Sequence, residues 1–235
     1  MAAADAGRAI VLANGEAPSP AVLDAAWPGW ADGVEIVIAA DGGARHAPTF
    51  GLRIDLWVGD ADSYPEAEVR ALEAAGVAVR RLAQDKNETD TEIAIVESVA
   101  AGATDITILG ALGGIRVDHA LANVALLAHP ALAGRTARLL GEGGVRLTLV
   151  TAPGPGGEPV ERELAGRTGD LVSLLPLFGR VEGVRSDGLR YPLRDEPLEI
   201  GPARGVSNVR VEPTARVRVR VGRLLVVETP ANLRP

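Results

Sequence analysis

The chain has 235 residues and a formal net charge of -7, which argues against nucleic acid or an anionic membrane as its main partner. It contains no cysteine, so disulfides and thiolate metal sites are excluded. Apolar residues make up 47% but aromatics only 3%, so the core must be built from Ala, Val, Leu and Ile. No stretch approaches the about 18 uninterrupted apolar residues of a membrane span. The opening MAAADAGRAIVLANG lacks a basic flank and a long apolar run, so no signal peptide is expected. A soluble, cytoplasmic protein is the expectation.

In chain order, residues 8–13 (RAIVLA) read as a buried strand ending in Asn14-Gly15. Residues 21–26 read as a helix. Residues 34–40 (VEIVIAA) form a second strand, ending at Asp41-Gly42-Gly43. A short strand at 56–58 runs into Gly59-Asp60. A helix at 65–75 is closed by Gly76, and a strand at 77–82 ends near Asp85. Thr89 starts a helix to about residue 101, with Gly102 as its stop. A fifth strand at 105–109 ends in Gly110, and a helix at 117–128 precedes Pro130. Strands alternating with helices predict an α/β domain, a Rossmann-like parallel sheet covered on both faces.

The second half has no convincing long amphipathic helix. Residues 145–151, 170–176, 216–221 and 224–228 read as strands. Arg216 to Val221 alternates strictly, with one apolar and one basic face. Residues 221–224 look like a hairpin tip, and Pro153–Gly157 is a loop by composition. An antiparallel β-sandwich is expected, with the boundary near residue 143, giving domains 1–143 and 144–235.

The polar motifs fall where the parallel strands end, and an open parallel sheet binds ligands there. Asp60 and Asp62, two apart on a turn, are hard oxygen ligands suited to magnesium; an Asx-turn would explain them equally well. Gly42, Gly43, Gly110, Gly113 and Gly114 allow close backbone approach to a ligand. Arg116 and the following helix start could meet anionic oxygens. Neither glycine turn is a P-loop, and Gly-x-Gly-x-x-Gly is absent. Thr89 and Glu92 form a capping box, which by itself needs no functional explanation. His46 and His129 are assigned to structure or surface, and Trp27, Trp30 and Trp57 to packing.

Lys86 is the single lysine beside 23 arginines, and it sits in the acidic run Gln84–Glu92. Its compact ammonium suits a point-charge contact with phosphate, where a planar guanidinium often does not fit. A solvated helix start would account for it as well.

Together these motifs resemble the thiamine pyrophosphokinase family. The resemblance rests on DGG at 41–43, GDADS at 59–63, DKNETDTE at 85–92, GGIRVDHALAN at 113–123, SDGLRYPL at 186–193 and GVSN at 205–208. They occur in order over nearly the whole chain. The resemblance implies an N-terminal ATP/Mg domain, a C-terminal thiamine-binding sandwich, and a homodimer with thiamine at the interface. It implies ATP plus thiamine giving thiamine diphosphate plus AMP. Asp60, Asp62 and Asp90 are then the implied metal acids, with Asp41 nearby, and Lys86 and Arg116 meet phosphate oxygens. Asp60, Asp62, Lys86 and Asp90 are the implied catalytic set. Ser63, Thr89 and the 110–114 turn would help seat the nucleotide, with Asp118, His119 and Asn123 bracing that loop. Ser186, Leu189, Tyr191, Ser207 and Asn208 would face thiamine.

Three departures stand out. Asn87 replaces a common acid, Ile115 lengthens the Gly-Gly-Arg-x-Asp-His pattern by one residue, and Tyr191 stands where tryptophan is frequent. The competing readings are pyrophosphoryl transfer to another hydroxymethyl heterocycle such as a pterin, a magnesium-dependent phosphohydrolase, and a non-catalytic ligand sensor.

Overall fold

The computed structural model describes residues 7–154 and 156–231. The first six residues of the stretch read for a leader, and Pro155 of the glycine-proline loop, lie outside the described residues. The chain divides into two compact units, residues 1–142 and 143–235.

Among the described residues, the first unit holds six parallel strands: β1 (Arg8–Leu12), β2 (Val34–Ala40), β3 (Leu56–Gly59), β4 (Ala78–Arg81), β5 (Asp105–Leu109) and β6 (Thr136–Leu140). Their order is β6-β5-β1-β2-β3-β4. The helices are α1 (Pro20–Ala26), α2 (Ala47–Phe50), α3 (Glu66–Ala74), α4 (Asp90–Ala100) and α5 (Val117–Leu126). Ile10, Val11 and Leu12 of β1 and Ile106, Ile108 and Leu109 of β5 are fully buried. That explains why β1 reads as a continuous apolar run, whereas β5 (DITIL) carries the buried Thr107 between its isoleucines, its Oγ1 accepting from Arg138 Nη1 at 2.9 Å. β4 is an edge strand, and its Arg80 and Arg81 are exposed, which discourages pairing with another chain. Ser19 caps α1 by accepting from Val22 N, with Pro20 at the first helical position. Thr89 caps α4, which buries Ala94, Ile95 and Ser98.

The chain steps outward from β1 to β4 and then returns, placing β5 on the other side of β1. This reversal is a topological switch point, and it opens a crevice beyond the carboxyl ends of β1 and β5.

The second unit is all-β, as expected. β12 (Asn208–Val209), β9 (Leu171–Leu175), β14 (Gly222–Thr229) and β7 (Arg146–Ala152) lie side by side in that order and pair antiparallel. A second antiparallel sheet runs β11 (Arg194–Leu198), β10 (Val181–Asp187), β13 (Thr214–Val219), β8 (Val160–Ala165). Val150, Val172, Leu174 and Val226 from the first face Val184, Leu198, Val217 and Val219 from the second in one core. The expected alternation of β13 is present: Ala215, Val217 and Val219 are buried while Arg216 points outward.

The hairpin expected at 221–224 is not one. β13 and β14 belong to different sheets, so the turn at Arg220–Val221 carries the chain from one sheet to the other. Alternation reports which face a residue takes, not which strand it pairs with. The sequence reading does not anticipate strands β6, β8, β10, β11 and β12.

A charge network is buried in this unit. Arg210 and Glu228 are inaccessible to solvent and joined at 2.7 Å, Nη2 to Oε1. Arg146 Nε donates to Glu228 Oε2 at 2.7 Å, and Arg210 Nη1 donates to the Leu164 carbonyl. Burial pushes the Glu228 carboxyl up, while the two guanidinium groups pull it back. No helix among the described residues is long and apolar enough to cross a membrane.

Candidate active site

Asp41 directly follows β2 and opens a short 3-10 turn (Asp41–His46) in the left-handed region, at φ 45°. Such a conformation is strained for a non-glycine residue, so surrounding contacts must hold it. The buried Trp57 indole donates to the Asp41 carbonyl at 3.0 Å. Asp41 Oδ2 accepts from Ser63 N at 2.9 Å and from Ser63 Oγ. Its other oxygen, Oδ1, is buried without a hydrogen-bond partner among the described residues. Asp60 and Asp62 follow β3 on an Asx-type turn, in which Asp62 N donates to Asp60 Oδ1 at 3.2 Å. Ala61 between them has φ 63°.

One carboxylate oxygen from each of Asp41, Asp60 and Asp62 lies within 4.8 Å of the others. Partial burial, together with the Asp41 and Asp60 carboxylates, pushes Asp62 up. Three hard oxygen donors, one of them buried and unpartnered, fit a magnesium ion.

Lys86 completes the acidic corner. Its Nζ lies 2.7 Å from Asp60 Oδ2, 3.2 Å from Asp90 Oδ1 and 3.3 Å from the Ala83 carbonyl. Burial alone would lower its pKa, but the bonds to Asp60 and Asp90 outweigh that and raise it. The Lys86 bond holds Asp60 below the usual carboxylate range. Burial raises Asp90 despite the lysine. The three-acid group therefore contains Asp41, whereas Asp90 sits on Lys86. The reason is local: Asp90 is the first residue of α4, four residues on from Lys86, so the lysine reaches it.

A cleft of about 510 Å³ opens beside these groups, bordered by Asp41, Asp62, Ser63, Thr89, Asp90, Gly110 and the loop from Gly113 to Arg116. It lies at the switch point of the sheet. Gly42 and Gly43 are required by close approach: a Cβ would sit 2.3 Å from Asn14 Oδ1 and 2.1 Å from the Leu12 carbonyl respectively. Gly110, at φ 68°, would place a Cβ 2.2 Å from the Ala13 carbonyl. Gly113 and Gly114 are exposed. Arg116 Nε and Nη2 grip Asp118 at 3.0 and 2.7 Å, which holds the Asp118 carboxyl far below its ordinary range. His119 borders the cleft. Asn123 is buried and donates to the Ala111 carbonyl at 2.9 Å, bracing the loop. Thr89 accepts from Glu92 N at 3.1 Å, while the Glu92 carboxylate faces His129 at 3.5 Å.

Asn14, Glu16 and Arg45 also border the cleft and were not anticipated as site residues. By sequence alone, Asn14-Gly15 marks only a strand end. Its position beside the other strand ends was the available signal.

In the second unit, Asn208 Oδ1 accepts from Tyr191 N at 3.0 Å, and Asn208 Nδ2 donates to the Tyr191 carbonyl at 2.7 Å. Tyr191 projects outward from this staple, 58% exposed. Ser207, at φ 56°, is exposed with its N–H on Ser173 Oγ. Ser186 and Leu189 are buried, and Ser186 Oγ accepts from Leu193 N at 2.9 Å. Of the five expected thiamine-side residues, only Tyr191 and Ser207 thus present side chains to solvent.

Two family models match in chain order. Thiamin pyrophosphokinase, catalytic domain, matches residues 30–138, and thiamin pyrophosphokinase, vitamin B1 binding domain, matches residues 160–226. The chain belongs to the thiamin pyrophosphokinase family. It is 25% identical to the thiamine pyrophosphokinase of Bacillus subtilis (strain 168) over 171 residues, 73% of this chain and 76% of that protein. The crystal structure of thiamine pyrophosphokinase from Bacillus subtilis aligns with TM-score 0.78 at 22% identity, covering 95% of this chain and 99% of the other. Thiamin pyrophosphokinase from Candida albicans aligns with TM-score 0.75 at 16% identity, covering 95% and 89%. At these identities the structural likeness establishes the fold.

Proposed function

We infer that the chain is a thiamine pyrophosphokinase, a transferase moving the pyrophosphoryl group of ATP to the hydroxyl of thiamine with release of AMP. The observation that carries this reading is the three-acid group of Asp41, Asp60 and Asp62, with Lys86 beside it, at the switch point of the sheet. Asp41, Asp60 and Asp62 would hold magnesium, which when bound supplies positive charge against the ATP phosphates. Lys86 meets the transferred phosphates as a point charge. The 110–114 turn, Thr89 and the start of α5 seat the nucleotide, and Arg116 reaches its oxygens once released from Asp118. Asp90 borders the cleft and stands outside the three-acid group, so it is the acid best placed to take the hydroxyl proton.

The second unit, residues 143–235, would bind thiamine through the Tyr191, Ser207 and Asn208 region. The working form is proposed as a cytoplasmic homodimer with thiamine at the interface. Purified protein is to be incubated with ATP, magnesium and a panel of thiamine, a hydroxymethylpterin and no acceptor. Thiamine diphosphate and AMP in equal amounts, with thiamine alone, support the reading. Product with the pterin only, or phosphate release without an acceptor, would sink it.

A further inference from the structure

We propose that Asn14 is a positioning residue that, through Ser63, fixes which oxygen of Asp41 is presented to a divalent cation. The inference rests on reading Asp41, Asp60 and Asp62 as a metal site. The chain of bonds is short and directional. Asn14 Nδ2 donates to Ser63 Oγ at 2.7 Å. Ser63 Oγ donates in turn to Asp41 Oδ2, which also takes Ser63 N at 2.9 Å. A carboxylate only accepts, so the serine hydrogen is committed to Asp41. The remaining lone pairs of Ser63 Oγ must then be met by donors, which are the Asn14 amide and Gly42 N at 3.3 Å. Both donors onto Asp41 therefore fall on Oδ2, and Oδ1 stays buried beside Asp60 and Asp62 with no hydrogen-bond partner among the described residues.

The same 3-10 turn that carries Asp41 also locks Asn14 in place. Arg45 Nη2 donates to the Asn14 carbonyl at 2.5 Å, and the His46 Nε2–H donates to the Gly15 carbonyl at 2.9 Å. Gly42 is what lets the amide approach, since a Cβ there would sit 2.3 Å from Asn14 Oδ1. Asn14 thus sits in a closed loop: Asp41's own turn holds it, and it orients Asp41 in return. A group that orients a ligand from behind typically changes metal affinity about 10–100-fold when removed.

The test is Mn2+ binding to the nucleotide-free protein, followed by electron paramagnetic resonance of the free ion, with folding checked by circular dichroism. Asn14→Ala and Ser63→Ala should each weaken Mn2+ binding about tenfold. The double variant should be no weaker than Ser63→Ala alone, because both remove one relay. Ser63→Ala leaves Asn14 packed, so it reads the relay even where Asn14→Ala fails to fold. Asp41→Asn separates the two readings. If it abolishes binding while Ser63→Ala and Asn14→Ala bind like wild type, the relay is refuted and the metal site stands. If Asp41→Asn binds Mn2+ like wild type, the metal-site reading and the relay both fail.

Discussion

Lys86 and Asp60 are joined Nζ to Oδ2 at 2.7 Å although 26 residues separate them. The bond ties the loop after β4 to the turn after β3. It places the single lysine of the chain at the border of the three-acid group. Three clustered carboxylates repel one another, and the ammonium offsets part of that repulsion. Lys86→Ala should lower kcat about 100-fold, the scale on which a preorganised electrostatic donor acts. Lys86→Arg should recover little, since a planar fork does not replace a point charge. Steady-state kinetics check both, and a Lys86→Ala enzyme within a few-fold of wild type would remove the lysine from the mechanism.

Asp62 is exposed, and the Asp41 and Asp60 carboxylates lie beside it. Asp62→Asn should raise the magnesium concentration needed for half-maximal turnover at least about tenfold. The fold should survive, because the side chain has no packing role. Activity titrated with magnesium after chelation reads this, and an unchanged titration curve would contradict it.

His46 gives a pH dependence of stability. Burial lowers its pKa below the ordinary 6.5, and its Nε2–H serves the Gly15 carbonyl. A depressed value in the folded state means the unfolded chain takes up the proton first. The contribution is present above pH 6.5 and is lost as pH falls from there through the folded value. Urea midpoints of wild type should therefore fall over that window, and His46→Gln should lack this component. Parallel pH profiles for the two proteins would contradict the assignment.

The buried Arg210–Glu228 pair predicts strong non-additivity. Removing Glu228 leaves the buried Arg210 without its bonded carboxylate, so Glu228→Leu alone should cost about 3–5 kcal/mol. Arg210→Met should cost less, because Arg146 still pairs with Glu228 at 2.7 Å. The double variant should cost far less than the sum, because Arg146 is partly exposed and can be hydrated. Urea denaturation of the four proteins closes the cycle, and additive losses would show that the pair is not coupled.

What the sequence made legible follows from how local each signal is. β1, β2 and β3 are largely apolar runs closed by polar turns, and Asp41, Asp60 and Asp62 stand on the turns after β2 and β3. β8 (VERELA) and β11 (RDEPL) were missed because much of their length faces outward. The Lys86–Asp90 contact was within reach because it is an i,i+4 spacing. The grouping of Asp41 with Asp60 and Asp62, and the bond from Asn14 to Ser63 across 49 residues, depend on β1, β2 and β3 lying side by side. No periodicity encodes that adjacency. The same limit hid the sheet change after β13, where strand partners are set by tertiary packing.

The central claim is that Asp41, Asp60, Asp62 and Lys86 together bind the magnesium–ATP phosphates. A crystal structure with magnesium and a non-hydrolysable ATP analogue tests it most directly. The account predicts a metal ligated by at least two of the three acids, with phosphates in the cleft at the switch point and Lys86 Nζ in contact with them. Phosphates bound elsewhere, or a metal that none of the three acids touches, would contradict it.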